Sequence, residues 1–239
     1  MKSRFTFAGQ SSSDFFMTIE YIPGYTTGRK NVNTYTVPGR SGALIQDEET
    51  YENYTQSYDV WVKAPSGTVT HQAVREVANW LTGSSGYQRL EDTYDPDIYR
   101  MAYFIGPVDF DNWFRKYGRA TLEFSCMPQR WLKSGEFPQQ ISDGQILLND
   151  WKPSLPLIQI TGSGVGTLVI GDYTVGISDI PADGLTIDCD SQNAYTGQTN
   201  NNNLVTLTNG FPVLQPGENE ITFEDGITSV EITPRWWCV

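Results

Sequence analysis

Hydrophobic positions recur at every second residue over much of this chain. Between residues 54 and 62, Tyr54, Gln56, Tyr58, Val60 and Val62 share one face, and Thr55, Ser57, Asp59 and Trp61 share the other. That is the period of a half-buried β-strand. Residues 119–126 repeat it, with Ala120, Leu122, Phe124 and Cys126 turned inward against Arg119, Thr121, Glu123 and Ser125. Shorter runs at 5–7, 17–22 and 98–105 read as further strands. The period changes once. Ala73, Val74, Val77, Trp80 and Leu81 form a helical stripe, with Thr70 placed to cap it and Gly83 to end it. One helix laid on a sheet is the expectation.

Two stretches break the pattern. Residues 24–42 are rich in Gly, Thr, Asn and Arg and poor in apolar positions, which predicts a long loop or an exposed hairpin arm. Segments of that length inside a compact domain usually carry a function. Residues 133–144 are polar and hold Gly, Pro, Ser and Asp, which predicts a linker. Beyond them the strand period returns at 157–161. Strands at 167–170 and 173–177 flank Gly171 and Asp172, a two-residue turn. Leu185, Ile187 and Cys189 alternate with Thr186, Asp188 and Asp190, and residues 200–203 mark a polar loop tip. Strands at 220–224 and 227–233 flank Asp225 and Gly226, a strong hairpin signal. The chain is therefore expected to be mostly β, with domains at 1–132 and 133–239. The first carries one α-helix and the second is a small β-sandwich.

Composition agrees with that class. The 239 residues include 22 Gly, 13 Pro and 13% aromatics, a turn-rich, strand-favouring mixture. The formal charge of −12 argues against nucleic-acid binding, which needs cations to neutralise phosphates. No run is apolar for long enough to span a bilayer as a helix. The three cysteines, Cys126, Cys189 and Cys238, are odd in number and far apart, so neither a disulfide framework nor a metal cluster is expected. Folding in a reducing cytoplasm fits best.

Candidate chemistry fails residue by residue. Nucleophilic catalysis of the Ser-His or Cys-His type needs a base beside the nucleophile, and the lone histidine, His71, sits at the start of the helix. The run Gly162, Ser163, Gly164, Val165, Gly166 lacks the Lys and the following helix of a phosphate loop, and reads as a glycine turn between strands. Asp188, Asp190 and Gln192 imitate a calcium loop, but Asn193 and Thr199 stand where Gly and Glu are required. Asp109 and Asp111 have the spacing of paired carboxylates with no second signal beside them. Trp151, Tyr173, Tyr195, Trp236 and Trp237 leave two readings open: a sugar-stacking surface, or core and interface packing. No catalytic, cofactor-binding or metal site is expected, and the chain reads as a non-enzyme.

Several segments resemble one family. Val37, Pro38, Gly39, Arg40, Gly42 and Leu44 are similar to a stretch of the distal tail proteins of long-tailed phages. So are Trp80 and Leu81 followed by Leu90, Asp92, Asp95 and Tyr99. Phe124, Cys126 and Pro128 resemble the close of that family's first domain. Phe211, Pro212, Leu214, Pro216, Gly217, Asn219 and Ile221 resemble a late signature, and Ile232, Pro234, Arg235 and Trp236 its closing segment. The likeness runs through nearly the whole chain in the right order.

The resemblance implies a structural virion protein with a galectin-like or carbohydrate-module-like second domain. It implies a ring, usually a hexamer, at the tail tip. The ring's partners would be the tail tube protein, the tail-associated hub protein, the tape measure protein and receptor-binding proteins. DNA would pass through the channel without specific binding, and assembly would take place in the host cytoplasm. Arg29, Lys30 and Arg40 on the polar arm are the candidate ring-interface residues, placed to meet a neighbour's carboxylates. The alternative is a carbohydrate-binding module that attaches the particle to a host surface.

Overall fold

The computed structural model describes residues 3–63, 70–114 and 117–239. The chain divides into two compact units, Met1–Arg130 with Val239, and Trp131–Cys238. In the first unit the elements follow in order as β1 (Phe5–Phe7), β2 (Gln10–Ser11), β3 (Met17–Ile19), β4 (Lys30–Thr36), β5 (Ala43–Tyr51), β6 (Tyr54–Lys63), α1 (Thr70–Thr82), β7 (Gln88–Asp92), β8 (Ile98–Phe104), β9 (Asp111–Phe114) and β10 (Tyr117–Leu132). Strands pair in the order β2-β1-β7-β8-β10-β6-β3, and β9 joins β10. The alternation in β6 and β10 is what sets their register. Tyr58 lies opposite Leu122 and Val60 opposite Ala120, so both apolar faces enter one core.

That core is aromatic. Phe5 stacks on Tyr58 at 5.0 Å and on Trp80 at 5.6 Å, and Phe7 meets Phe124 at 5.1 Å. Ala73, Val77, Trp80 and Leu81 bury the helical stripe against it. Trp80 cannot bury its indole N–H unpaired, and donates it to the Phe7 carbonyl at 3.1 Å. Gly83 follows the helix where a Cβ would lie 2.5 Å from the Asn79 carbonyl oxygen. Thr70, expected as the cap, is the first helical residue, but its side chain and that of His71 lie outside the described residues.

The second unit runs as β11 (Gln139–Ile141), β12 (Gln145–Asn149), β13 (Leu157–Ile170), β14 (Tyr173–Ile180), β15 (Leu185–Asp188), β16 (Asn193–Thr196), β17 (Thr199–Asn200), β18 (Val205–Thr208), β19 (Gly217–Thr233) and β20 (Trp237–Cys238). The stretch expected as a linker belongs to this fold. Ile141 is buried, and β11 pairs with β19 from Gln139 opposite Ile232 to Ile141 opposite Val230. The first of its two glycines marks close packing, since a Cβ on Gly135 would lie 2.3 Å from the Trp236 nitrogen.

Two turn expectations are overturned together. Residues 162–166 are not a turn, and Asp225 and Gly226 do not close a hairpin. Both lie inside long strands, β13 and β19, which pair with each other from Leu157 opposite Thr233 to Ile170 opposite Ile221. The register shifts where the glycines meet. Asp225 and Gly164 take positive φ, 62° and 73°, as bulged positions do. A Cβ on Gly162 would lie 2.1 Å from the Gly226 carbonyl oxygen, and one on Gly226 would lie 1.9 Å from that of Ser163. The glycines let two backbones cross closely at a bend. The expected turn at Gly171 and Asp172 does form, with Ile170 opposite Tyr173.

Candidate assembly surface

Strands β4 and β5 form a two-stranded ribbon that pairs with no other strand among the described residues. Apart from the half-buried Asn31 and Tyr51, its residues are exposed. The two faces differ. Asn31 donates to Thr50 at 3.0 Å, Asn33 to Glu48 at 2.6 Å and Tyr35 to Gln46 at 3.2 Å, a polar ladder complete in itself. Val32, Thr34, Thr36, Ala43, Ile45 and Asp47 lie on the opposite face, set by Val32 opposite Asp47, Thr34 opposite Ile45 and Thr36 opposite Ala43. Beyond the Lys30–Asp47 pair at the root end, this second face is β-branched, with Val32 and Ile45 exposed, Ile45 at 72%. An isolated two-stranded ribbon is marginal in water.

The ribbon's root is tightly built. Gly28 is buried where a Cβ would meet the Glu52 carbonyl oxygen at 2.2 Å, and the Glu52 N–H donates to the Arg29 carbonyl at 2.8 Å. Its tip is a turn, with the Arg40 N–H donating to the Val37 carbonyl at 3.2 Å and positive φ at Gly39 and Gly42. Arg29, Lys30 and Arg40 are all exposed, at the root and the tip. Lys30 is already engaged by Asp47 across the ribbon. The guanidinium of Arg40 has no partner among the described residues.

Beside the root lies a depression of about 240 Å³ that the sequence did not reveal. Its rim is Ile22, Pro23, Gly24, Tyr25 and Tyr94, and its floor holds Gln56, Asp92 and Arg100. Asp92 is saturated. It accepts from the main-chain N–H groups of Tyr94 at 2.9 Å and Asp95 at 3.0 Å, from the Tyr58 hydroxyl at 2.8 Å and from Arg100 Nη1 at 3.0 Å. Arg100 is 3% exposed, and its Nε has no partner among the described residues. Burial, with the Asp92 carboxylate beside it, pushes the Tyr58 hydroxyl well up. Nearby, Arg130 is fully buried between Tyr25 and Tyr54 at 4.1 and 4.6 Å from their ring centres.

The remaining chemical candidates resolve into structure. Burial raises the Cys126 thiol to about 11 and that of Cys189 to about 12, so both are packing groups rather than nucleophiles. Asp109 and Asp111 border an open, shallow depression with Asp59 and Arg119. Thr121 donates to Asp59 at 2.5 Å, and Arg119 pairs with Glu20 at 2.6 Å. Asp188 accepts from Arg235 at 2.6 Å. Burial alone would raise that carboxyl, but the Arg235 bond wins and holds it below the ordinary carboxylate range. Trp236 is buried in the second core, and Trp237 donates its indole N–H to the Pro153 carbonyl at 2.8 Å. Trp236 is therefore no sugar platform, and Trp237 is half-buried. Trp151 is exposed.

The late signature is a folding device. Asn219 is buried. Its Nδ2 donates to the carbonyls of Gln215, Leu147 and Gly217 at 2.8, 3.2 and 3.2 Å, and its Oδ1 accepts the Gln215 N–H at 2.8 Å. Gly217 takes φ +100°.

Comparison with known proteins follows the same division. A family described as the phage tail protein N-terminal domain matches residues 1–127. One described as the siphovirus-type tail component, C-terminal domain, matches residues 174–236. No curated protein matches by sequence. Among solved structures the chain is similar to the Dit (gp 19.1) protein of phage SPP1, whose structure is described as a paradigm of hub adsorption apparatus in Gram-positive infecting phages. The TM-score is 0.80 at 13% identity, with 100% of both chains covered. That likeness is one of fold. A chain of the phage p2 baseplate in its activated conformation aligns more loosely, at a TM-score of 0.49 and 8% identity over 96% of each chain.

Proposed function

Because this chain belongs to the siphovirus-type tail component (Dit) family of phage tail proteins, we propose that it forms a ring of six copies at the end of the tail tube. The ring joins the tube protein to the tail-associated hub protein, lets the tape measure protein through, and carries the receptor-binding apparatus on its outside. It is put together in the host cytoplasm and works at the virion tail tip. Its role there is structural rather than catalytic.

The observation that carries this reading is the ribbon. A sequence that spends 22 residues (30–51) on two strands exposed along their length, one face a polar ladder and the other β-branched with Val32 and Ile45 uncovered, is built for a partner. Head-to-tail contacts of that kind close into rings when the rotation allows. Arg29 and Arg40 are the interface cations to test first, since Lys30 is held within its own ribbon.

Negative-stain imaging of the purified protein, with native mass spectrometry, tests the proposal. Rings of six masses are expected. A monomer at every concentration overturns it. Alanine at Arg29, Lys30 and Arg40 together is expected to shift the population from rings toward monomers, and a triple variant that stays fully assembled removes those residues from the interface.

A further inference from the structure

We infer that the depression at the root of the ribbon is the seat for the ribbon tip of a second copy of this chain. The inference rests on the ring reading and adds the two surfaces that meet.

Each surface lacks what the other has. The rim of the depression is apolar and open, with Ile22 77% and Tyr25 67% exposed. Large hydrophobic side chains that far into water need a cover. The tip brings Val37 and Pro38, with Val37 itself exposed. At the floor, Asp92 has spent its acceptor capacity on Tyr58, Tyr94, Asp95 and Arg100, so the charge left for a partner lies at the edge of the depression. Asp95 lines the depression and forms no ion pair among the described residues. Arg40 at the tip has the complementary charge and no partner of its own.

Connectivity makes the contact intermolecular. Gly24 and Tyr25 line the depression and lead into the root at Gly28. The seven residues of β4 then carry the tip roughly 20 Å away at about 3.3 Å per residue. Tip and seat therefore lie at opposite ends of one paired ribbon, and each copy offers one of each. Such a contact is heterologous and propagates from copy to copy until it closes.

Disulfide trapping tests this. Arg40→Cys protein and Asp95→Cys protein, purified separately, are mixed and oxidised. With the partly exposed Cys238 changed to Ser in both proteins, a covalent dimer that neither variant gives alone is expected, because the remaining native thiols, Cys126 and Cys189, are buried. A charge swap is the second arm. Arg40→Glu is expected to weaken assembly about tenfold, as losing a rim charge pair of about 1.4 kcal/mol would, and adding Asp95→Arg is expected to restore it. Wild-type protein measured by light scattering separates the possible failures. Wild-type rings with no trapped dimer and no effect of the swap overturn the seat and leave the ring standing. A wild-type monomer with no trapped dimer overturns both.

Discussion

Two long antiparallel ribbons divide the labour in this chain. The pair β13 and β19 runs through the second core, with Ile158, Ile160, Leu168, Ile170, Ile221, Val230 and Ile232 all buried. The pair β4 and β5 has fewer β-branched residues, five of 16 against 14 of 31, and buries almost nothing. Both form paired strands all the same, so strand pairing by itself does not explain the difference in burial. The first ribbon finds its partners within its own fold. The second pairs with no other strand among the described residues, and its exposed β-branched face has value only in company.

The largest effect should come from breaking the bend in the buried ribbon. Gly226→Val places a Cβ on the Ser163 and Val165 carbonyl oxygens, both main chain and unable to yield. A loss of more than about 4 kcal/mol is expected, seen as failure of the second unit to fold in thermal melts and limited proteolysis. Asn219→Ala comes next. It strips hydrogen bonds from the buried Leu147 carbonyl and from partly buried main-chain groups of Gln215 and Gly217, and about 1–3 kcal/mol should disappear from denaturant unfolding.

Smaller still is the ion pair beside the ribbon's end. Asp188 titrates below its ordinary value, because Arg235 outweighs the effect of burial. Its stabilisation is therefore fully present above the usual carboxylate pKa of about 3.9 and is lost as pH falls through the lower folded value. Asp188→Asn should melt below wild type at pH 6, and the two should converge near pH 2. Equal melting at pH 6 would remove the pair from the account. The contribution is expected to be under about 1 kcal/mol, since the pair is partly exposed. The least effect on folding belongs to the exposed ribbon. Ile45→Ser should change subunit stability by less than about 0.5 kcal/mol while reducing ring assembly in native mass spectrometry. A large drop in subunit stability would mean that the ribbon is not as independent of its own fold as its exposure implies.

How much of this could be read from the residues depends on the range of the signal. Strands β6 and β10 and helix α1 were legible because their periods are local and their faces simple. Asp225 and Gly226 were misread for a definite reason: a positive-φ residue followed by glycine serves equally in a two-residue turn and in a bulge. Which one forms depends on Gly162, more than sixty residues earlier, standing opposite. The polar residues 133–144 looked like a linker because an edge strand with one buried apolar position, Ile141, leaves little period to see. The arm was legible as an anomaly, but its second strand was not, since the acidic run Asp47, Glu48, Glu49 hides it. The depression at the root joins residues near 22, 56, 94 and 100, and no local window contains it.

The buried thiols carry a consequence of a different kind. With pKa values of about 11 and 12, Cys126 and Cys189 expose on the order of one thiolate in ten thousand or fewer at neutral pH. If assembly takes place in the host cytoplasm, as proposed, release with the virion carries the chain from reducing to oxidising surroundings. These two sulfurs are almost inert to that passage. They offer no ready start for disulfide exchange, which leaves the partly exposed Cys238 as the thiol that such a passage would meet first.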